Sequence, residues 1–561
     1  MKQAGVVATA LMMASASAQA QSVEVFVFGD SLSDKGNMYQ LTDESYPPSG
    51  QYDNGRASNG QVWAEKLGYN LKNAPGGRIK AADQKDGFDF AHFGATVIRR
   101  DGLQDGQHLG YQVSKFRTMA SNGKINVGSS DQIAVWAGTN DYVAYGETRA
   151  KLVAERLAKQ GNLLQQVAGS HVFMMGLPDL GNFPIAYEWN SRDAWSQLVA
   201  QHNTALASDV AGYGGRLHYI DMKSLFDDMQ DNPAAYGFEI VRPGSETSGY
   251  CLGDGLVLDG CPKTYMFYDA IHPARRTHAH IASYVGAVMD GVLAAPAYQD
   301  AGRGRASGMM AVQSRALSGD IASLASFGSV EFGGLRLFAT ERARDLVGDD
   351  AAGPVGDGLA LAGAEMALGD GWSVAALVSR RGNGRALLDG PVSAQAATGW
   401  AMEAGRELGA LTLSIEGAGI TQQLDSYRVT GFERDPLVTA KFEQAQMTAF
   451  ASASYALEAG PVTVSPFASF GYSTVATGPI NEQGQTSLVS ANTPAFSRGG
   501  YANAAGVRAE MLRSKTLWGL GFSHAVSEDG VSAWGLSEAD LLTGQDASGA
   551  RVVDSATLSV E

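Results

Sequence analysis

The stretch VEVFVFGDSLSDKGN, residues 23–37, decides the fold of the N-terminal half. Its alternating valines and phenylalanines form an apolar run that stops at Gly29, the pattern of a buried strand ending where glycine lets the chain turn sharply. Three later stretches have the same form: DQIAVWAGTND (131–141), SHVFMMGLPD (170–179) and RLHYIDM (216–222). Each runs apolar and stops at a glycine, proline or acidic residue. Between them, residues 149–168 and 194–211 carry apolar side chains at helical spacing. Strands alternating with helices predict a parallel sheet covered on both faces, with its ligand site outside the carboxyl ends of the strands.

The chemistry-bearing residues fall at those ends. Ser31 follows the first strand, but a serine hydroxyl is a poor nucleophile without a base beside it. DAIHP, residues 269–273, offers one: Asp269 and His272 are close enough in sequence for the carboxylate to orient the imidazole, which would take the Ser31 proton. Acyl transfer also needs donors for a developing oxyanion. Gly94, where glycine lets a backbone N–H approach a substrate, and Asn140, whose amide can donate, are the candidates. Asp30, Asp34 and Asp141 flank the same strand ends and read as loop-fixing acceptors of backbone N–H groups. His278 and His280 have no third metal ligand in sequence and read as part of a helix continuing from DAIHP. Trp63, Phe88 and Phe90 suit either the core or an acyl chain.

Taken together, these blocks resemble the GDSL esterase/lipase family, also called SGNH hydrolases. The resemblance rests on VFGDSLSDKGN (27–37), DFAHFGATV (89–97), VWAGTNDY (135–142) and DAIHP (269–273). NGRASNGQVWAEKLG (54–68), MMGLPDLGNFP (174–184) and NPAAYGF (232–238) are similar to members of the same branch. The resemblance implies a flavodoxin-like α/β/α sandwich. It implies Ser31 as nucleophile with Asp269 and His272, an oxyanion hole from the Ser31 N–H, Gly94 and Asn140, and no metal or organic cofactor. No GxSxG elbow occurs, which argues against the α/β-hydrolase arrangement.

Composition bounds the rest. Lys+Arg 42 against Asp+Glu 58 gives a net charge of −16, so nucleic acid is not an expected partner. Residues 1–20 carry one lysine, an apolar run and a terminal AQA, and are expected to be a cleaved secretory signal. In an exported chain the two cysteines, Cys251 and Cys261, are expected to form a disulfide closing a short loop. Of 14 lysines, 12 precede residue 301, which marks a change of domain.

The expected order is a hydrolase domain over 21–298, a linker with a possible pore helix over 299–326, and an all-β domain over 327–561. In that last region WSVAALVS, LTLSIEGA, VTVSPFASF and LWGLGFSHAV alternate large apolar with small or polar residues, as outer-membrane barrel strands do. The whole arrangement resembles the autotransporter esterases, in which a GDSL passenger is displayed by a C-terminal translocator barrel of twelve strands. The resemblance implies an exported esterase or lipase at the outer membrane and cell surface, acting on fatty-acyl esters or lysophospholipids. A carbohydrate O-acetyl esterase, a lipid acyltransferase on the same site and a non-catalytic adhesin are the alternatives.

Overall fold

The computed structural model describes residues 23–78, 86–104, 106–167, 169–317, 328–340, 359–381, 386–387, 392–513, 516–527, 540–545 and 551–560. Residues 1–20, expected from sequence to be a secretory signal, lie outside the described residues. The chain divides into two compact units, Met1–Met289 with Gly431–Arg434, and Asp290–Thr430 with Asp435–Glu561.

The first unit is built on six strands: β1 (Val25–Gly29), β2 (Lys72–Asn73), β3 (Gly87–Asp89), β4 (Gln132–Trp136), β5 (His171–Met175) and β6 (Leu217–Ile220). They pair in the order β2-β3-β1-β4-β5-β6, every pair parallel. The apolar runs become strands because both faces are covered, and every residue of β1 and β4 is buried. The main covering helices are α1 (Leu109–Ser121), α2 (Thr139–Val143), α3 (Ala150–Gln165), α4 (Arg192–Tyr213) and α5 (Met222–Asp231). Helix α3 shows why the sequence folds this way: Val153, Ala154, Leu157, Ala158, Gly161 and Leu164 make one buried stripe at 3.6-residue spacing. Trp63, Phe88 and Phe90 are core residues.

Strand β1 lies between β3 and β4, where the strand order changes direction, so a crevice opens beside its carboxyl end. Gly29 closes that end at φ +145°, and a Cβ there would lie 2.0 Å from the Trp136 carbonyl oxygen. Only glycine permits this approach. It lets the Asp30 N–H donate to Trp136 O (3.3 Å) and sets Ser31 on the rim.

Helix α6 (Arg275–Leu317) runs into the segment 299–326, which the sequence suggests is a linker with a possible helix. Its glycines cost helix stability of order 1 kcal/mol each, but the spacing of buried Ala306, Met309, Met310 and Leu317 outweighs them by packing against the second unit's sheet. The unit boundary therefore falls within this helix rather than at residue 298.

The second unit is an antiparallel sheet of fourteen strands among the described residues. Two short ones, Ala386–Leu387 and Leu457–Ala459, lie off the main path, and the path runs from Gly328–Phe332 to Asp540–Gln545. Its long strands alternate over much of their length. Along Leu411–Val429, Leu413, Ile415, Tyr427 and Val429 are exposed, Ile415 by 67% and Val429 by 76%, while Ala418, Ile420, Gln422 and Leu424 are buried. The inward face combines polar Gln422, Gln444, Gln446 and Thr448 with an apolar cluster around Met309 and Met310. No helix among the described residues is long and apolar enough to cross a membrane, which says nothing of strands.

Cys251 and Cys261 are joined by a disulfide and pack against Tyr268 and Ala274. Closing a loop of this length contributes about 2–3 kcal/mol in the chain-entropy model. A Cys251→Ala/Cys261→Ala variant is therefore expected to lose roughly that much stability in urea unfolding and to be cleaved faster by protease within residues 251–261. An unchanged midpoint and cleavage rate would mean packing alone holds the loop.

Candidate active site

Four chain segments meet at the carboxyl end of β1. Behind Ser31 the loop is tied down by acids that the apolar surroundings force into full use of their oxygens. Asp34 accepts from the N–H groups of Gly36 (2.8 Å), Asn37 (2.6 Å), Met38 (3.1 Å) and Phe93 (2.8 Å). Asp141 accepts from Val97 (2.8 Å) and Ile98 (2.9 Å). Burial pushes the Asp141 carboxyl up to about 6. These contacts join the first, second and third sequence blocks through backbone N–H groups.

The reacting side chains sit in front. Ser31 Oγ lies 2.8 Å from His272 Nε2. On the other side of the ring, His272 Nδ1 is 2.7 Å from Asp269 Oδ2 and 2.9 Å from Oδ1. An ionised carboxylate has no proton to give, so Nδ1 carries the hydrogen and Nε2 is left to accept from the serine. Asp269 Oδ1 also accepts from the backbone N–H of Ile271 (2.8 Å) and His272 (2.7 Å), because DAIHP turns back on itself there. Burial alone would raise the Asp269 carboxyl, but the His272 charge and these donors outweigh it and hold it below its ordinary value. Burial alone would lower His272, and the negative charges of Asp269 and Asp30 outweigh that and hold it above 6.5.

The site opens into a cleft of about 480 Å³, lined by Ser31, Asn140, Asp269 and His272 together with Tyr46, Tyr52, Phe93, Val143, Tyr250 and Leu252. Asn140 follows Gly138, whose φ of +125° turns the chain from β4 into α2. Its side-chain Nδ2 donates to Ala95 O at 3.0 Å, a bond that uses one of the two amide N–H groups. Gly94 has φ +75°, and its neighbour Phe93, rather than Gly94 itself, is among the lining residues. The structure thus brings Ser31, Asn140, Asp269 and His272 to one cleft, with Gly94 one residue behind its wall. The disulfide loop supplies Leu252 and Gly253 to the same wall. His278 and His280 go elsewhere: His278 Nδ1 accepts from Trp63 N (3.2 Å), and His280 Nε2 faces Tyr236 O (3.0 Å).

Two features escaped sequence reading. Tyr52 donates its hydroxyl to Asp269 Oδ2 at 2.8 Å, across 217 residues of chain. Asp30 is fully buried; Oδ1 accepts from Leu32 N (3.1 Å), whereas Oδ2 has no hydrogen-bond partner among the described residues. Burial pushes this carboxyl up to about 7. Tyr52 carries no sequence signal beyond its place in a loop, and the reading of Asp30 as a loop-fixing acceptor describes its Oδ1 but not its Oδ2.

Residues 25–285 match the family model described as GDSL-like Lipase/Acylhydrolase. A Phosphatidylcholine-sterol acyltransferase of Aeromonas hydrophila is 29% identical over 253 residues, 44% of this chain and 71% of that protein. A GDSL esterase/lipase of Arabidopsis thaliana is 25% identical over 334 residues, 49% of this chain and 92% of its own. Among solved structures, a member of the lipolytic protein G-D-S-L family from Veillonella parvula shares 16% identity at TM-score 0.26, over 47% of this chain and 94% of its own. The translocator domain of autotransporter NalP from Neisseria meningitidis shares 12% at TM-score 0.28, over 46% of this chain and 87% of its own. At TM-scores this low, the fold of each unit rests on its own strand order.

The parallel sheet and the matched family make the first unit a hydrolase, with ester hydrolysis or acyl transfer as its class of chemistry. Residues 25–285 are a GDSL lipase domain.

The electrostatics can be tested directly. In an NMR pH titration His272 is expected to titrate above 6.5. Asp269→Asn removes the nearest opposite charge and should bring the midpoint down by about one pH unit or more. A wild-type midpoint at or below 6.5 would overturn this account of the imidazole.

Proposed function

We propose that the N-terminal unit is a serine esterase with a leaning toward fatty-acyl esters, working through an acyl-enzyme on Ser31. The observation that carries this reading is the unbroken chain from Ser31 Oγ through His272 to Asp269 at the mouth of a cleft. His272 Nε2 takes the Ser31 proton as Oγ attacks the carbonyl carbon, and Asp269 stabilises the imidazolium that forms. The Ser31 N–H, the Gly94 N–H and the Asn140 amide are the donors for the oxyanion. His272 then gives its proton to the departing alcohol, and a water repeats the sequence to release the acid. No step calls for a metal or organic cofactor.

The substrate leaning rests on the cleft: its wall is aromatic and aliphatic at Tyr46, Phe93, Val143, Tyr250, Leu252 and Ile271. Lysophospholipids belong to the same class of acyl ester. Acyl transfer to an alcohol is the second reading, favoured by the similarity to the Aeromonas acyltransferase. It differs only in whether an alcohol or water meets the acyl-enzyme.

For the second unit we infer an outer-membrane barrel that anchors the chain in the envelope and exposes the hydrolase at the cell surface. Support comes from its alternation: Leu413, Ile415, Met447, Phe470 and Val507 are exposed along the outward face, while glutamines, threonine and α6 occupy the inward one. A soluble sheet would leave that band in water.

Hydrolysis of a p-nitrophenyl ester series by the purified protein tests the chemistry. Ser31→Ala is expected to reduce kcat by roughly a thousandfold or more, and kcat/KM should rise with pH through a midpoint above 6.5, since only neutral His272 can accept the proton. Activity that survives Ser31→Ala would sink the mechanism. Adding a sterol or other alcohol and measuring ester formed against acid released separates transfer from hydrolysis. For the second unit, Ile415→Arg is expected to destabilise a membrane barrel by about 2–4 kcal/mol near the bilayer midplane, read as loss of the protein from the outer-membrane fraction. Recovery of the wild type as a soluble extracellular protein would overturn the anchor.

A further inference from the structure

We propose that Tyr52 is a positioning residue that tunes the general base: by donating its hydroxyl to Asp269 Oδ2 it shares the oxygen that binds His272 Nδ1 and holds the imidazole's proton affinity down. The inference rests on the Ser31–His272–Asp269 reading and goes beyond it.

The geometry is specific. Asp269 Oδ1 is fixed by two backbone N–H groups of its own turn, so the carboxylate does not depend on Tyr52 to stay in place. Oδ2 instead has two donors, His272 Nδ1 at 2.7 Å and the Tyr52 hydroxyl at 2.8 Å. A second donor on one carboxylate oxygen draws off negative charge that would otherwise stabilise the imidazolium. Tyr52 is held for this task. Its N–H donates to Pro48 O (3.0 Å), and its ring stands edge-on to Tyr268 at 5.7 Å and 81°. Tyr268 in turn bonds Gln51 O through its hydroxyl and His272 O through its N–H (2.8 Å). Burial, and then the Asp269 charge, raise the Tyr52 phenol far above its usual range, so it remains a donor at any working pH.

Other groups face the pair. Asp30 acts on His272 through charge, Tyr46, Tyr250 and Tyr268 feel the Asp269 charge, and His278 feels that of His272. The hydroxyls of Tyr250 and Tyr268 are engaged by Glu188 and by Gln51, and Tyr52 is the phenol hydrogen-bonded to the carboxylate among the described residues.

The test uses the full-length protein and two readouts, the pH dependence of kcat/KM for p-nitrophenyl butyrate and the NMR titration midpoint of His272. Tyr52→Phe keeps the ring and removes the donor. Both midpoints are expected to rise by about 0.5–1 pH unit, with the high-pH plateau of kcat/KM lowered less than about tenfold. In an Asp269→Asn background Tyr52→Phe should move the His272 midpoint no further, because the effect passes through that carboxylate. Should Tyr52→Phe not fold, 3-fluorotyrosine at position 52, a stronger donor of nearly the same shape, decides the matter by moving both midpoints down. A midpoint that stays put or moves the opposite way, or a shift that persists without Asp269, overturns the proposal. A wild type inert on all esters while the His272 shifts appear would instead overturn the esterase reading and leave the Tyr52 linkage standing.

Discussion

The site depends on one close approach. At Gly29 the end of β1 passes so near the Trp136 carbonyl that no side chain fits between them, and the backbone takes a conformation reserved for glycine. Gln112 locks the same peptide from below, accepting from Gly29 N (3.0 Å) and donating to Gly29 O (2.9 Å). Because β1 and β4 are pinned together there, the residues that follow each strand, Ser31 and Asn140, emerge side by side. The separation of those two residues in sequence is closed by the sheet register, Gly29 opposite Trp136, rather than by any direct bond between them.

Around that point the protein places acids where water cannot reach. Asp34, Asp89 and Asp141 are buried, and each turns its charge cost into loop definition by accepting several backbone N–H groups. Asp269 is the acid aimed forward. Its neighbours are arranged so that its ionised form is favoured despite burial, and the imidazole beside it gains basicity for the same reason. The division of labour among identical side chains is thus a matter of what each faces: amides for the supporting acids, an imidazole for the working one.

Much of this was legible in the sequence, and the reasons are physical. Four of the six strands announce themselves as apolar runs, because burial by covering helices demands them, and β1, β4, β5 and β6 lie within the stretches read as strands. Ser31 and Asn140 could be singled out because each follows a glycine at a strand end, and Asp269 and His272 because their spacing in DAIHP lets the carboxylate reach the imidazole. Tyr52 could not, since its partner is 217 residues away and its local stretch reads only as a turn. Glycines and arginines over 299–307 look like a linker in sequence, whereas the helix continues through them and buries Met309 and Met310 beyond. In the second unit, alternation revealed the strands, but the apolar share of the inward face depends on a helix packed against it.

The lone oxygen of Asp30 gives the site an unexpected property. Burial pushes this carboxyl up to about 7, so its protonation responds to pH in a range where an exposed carboxylate's would not. Since that charge bears on His272, the two do not titrate independently, and the proton uptake of the pocket belongs to the pair rather than to either residue. The midpoint read for the imidazole is accordingly an apparent one, set by both groups.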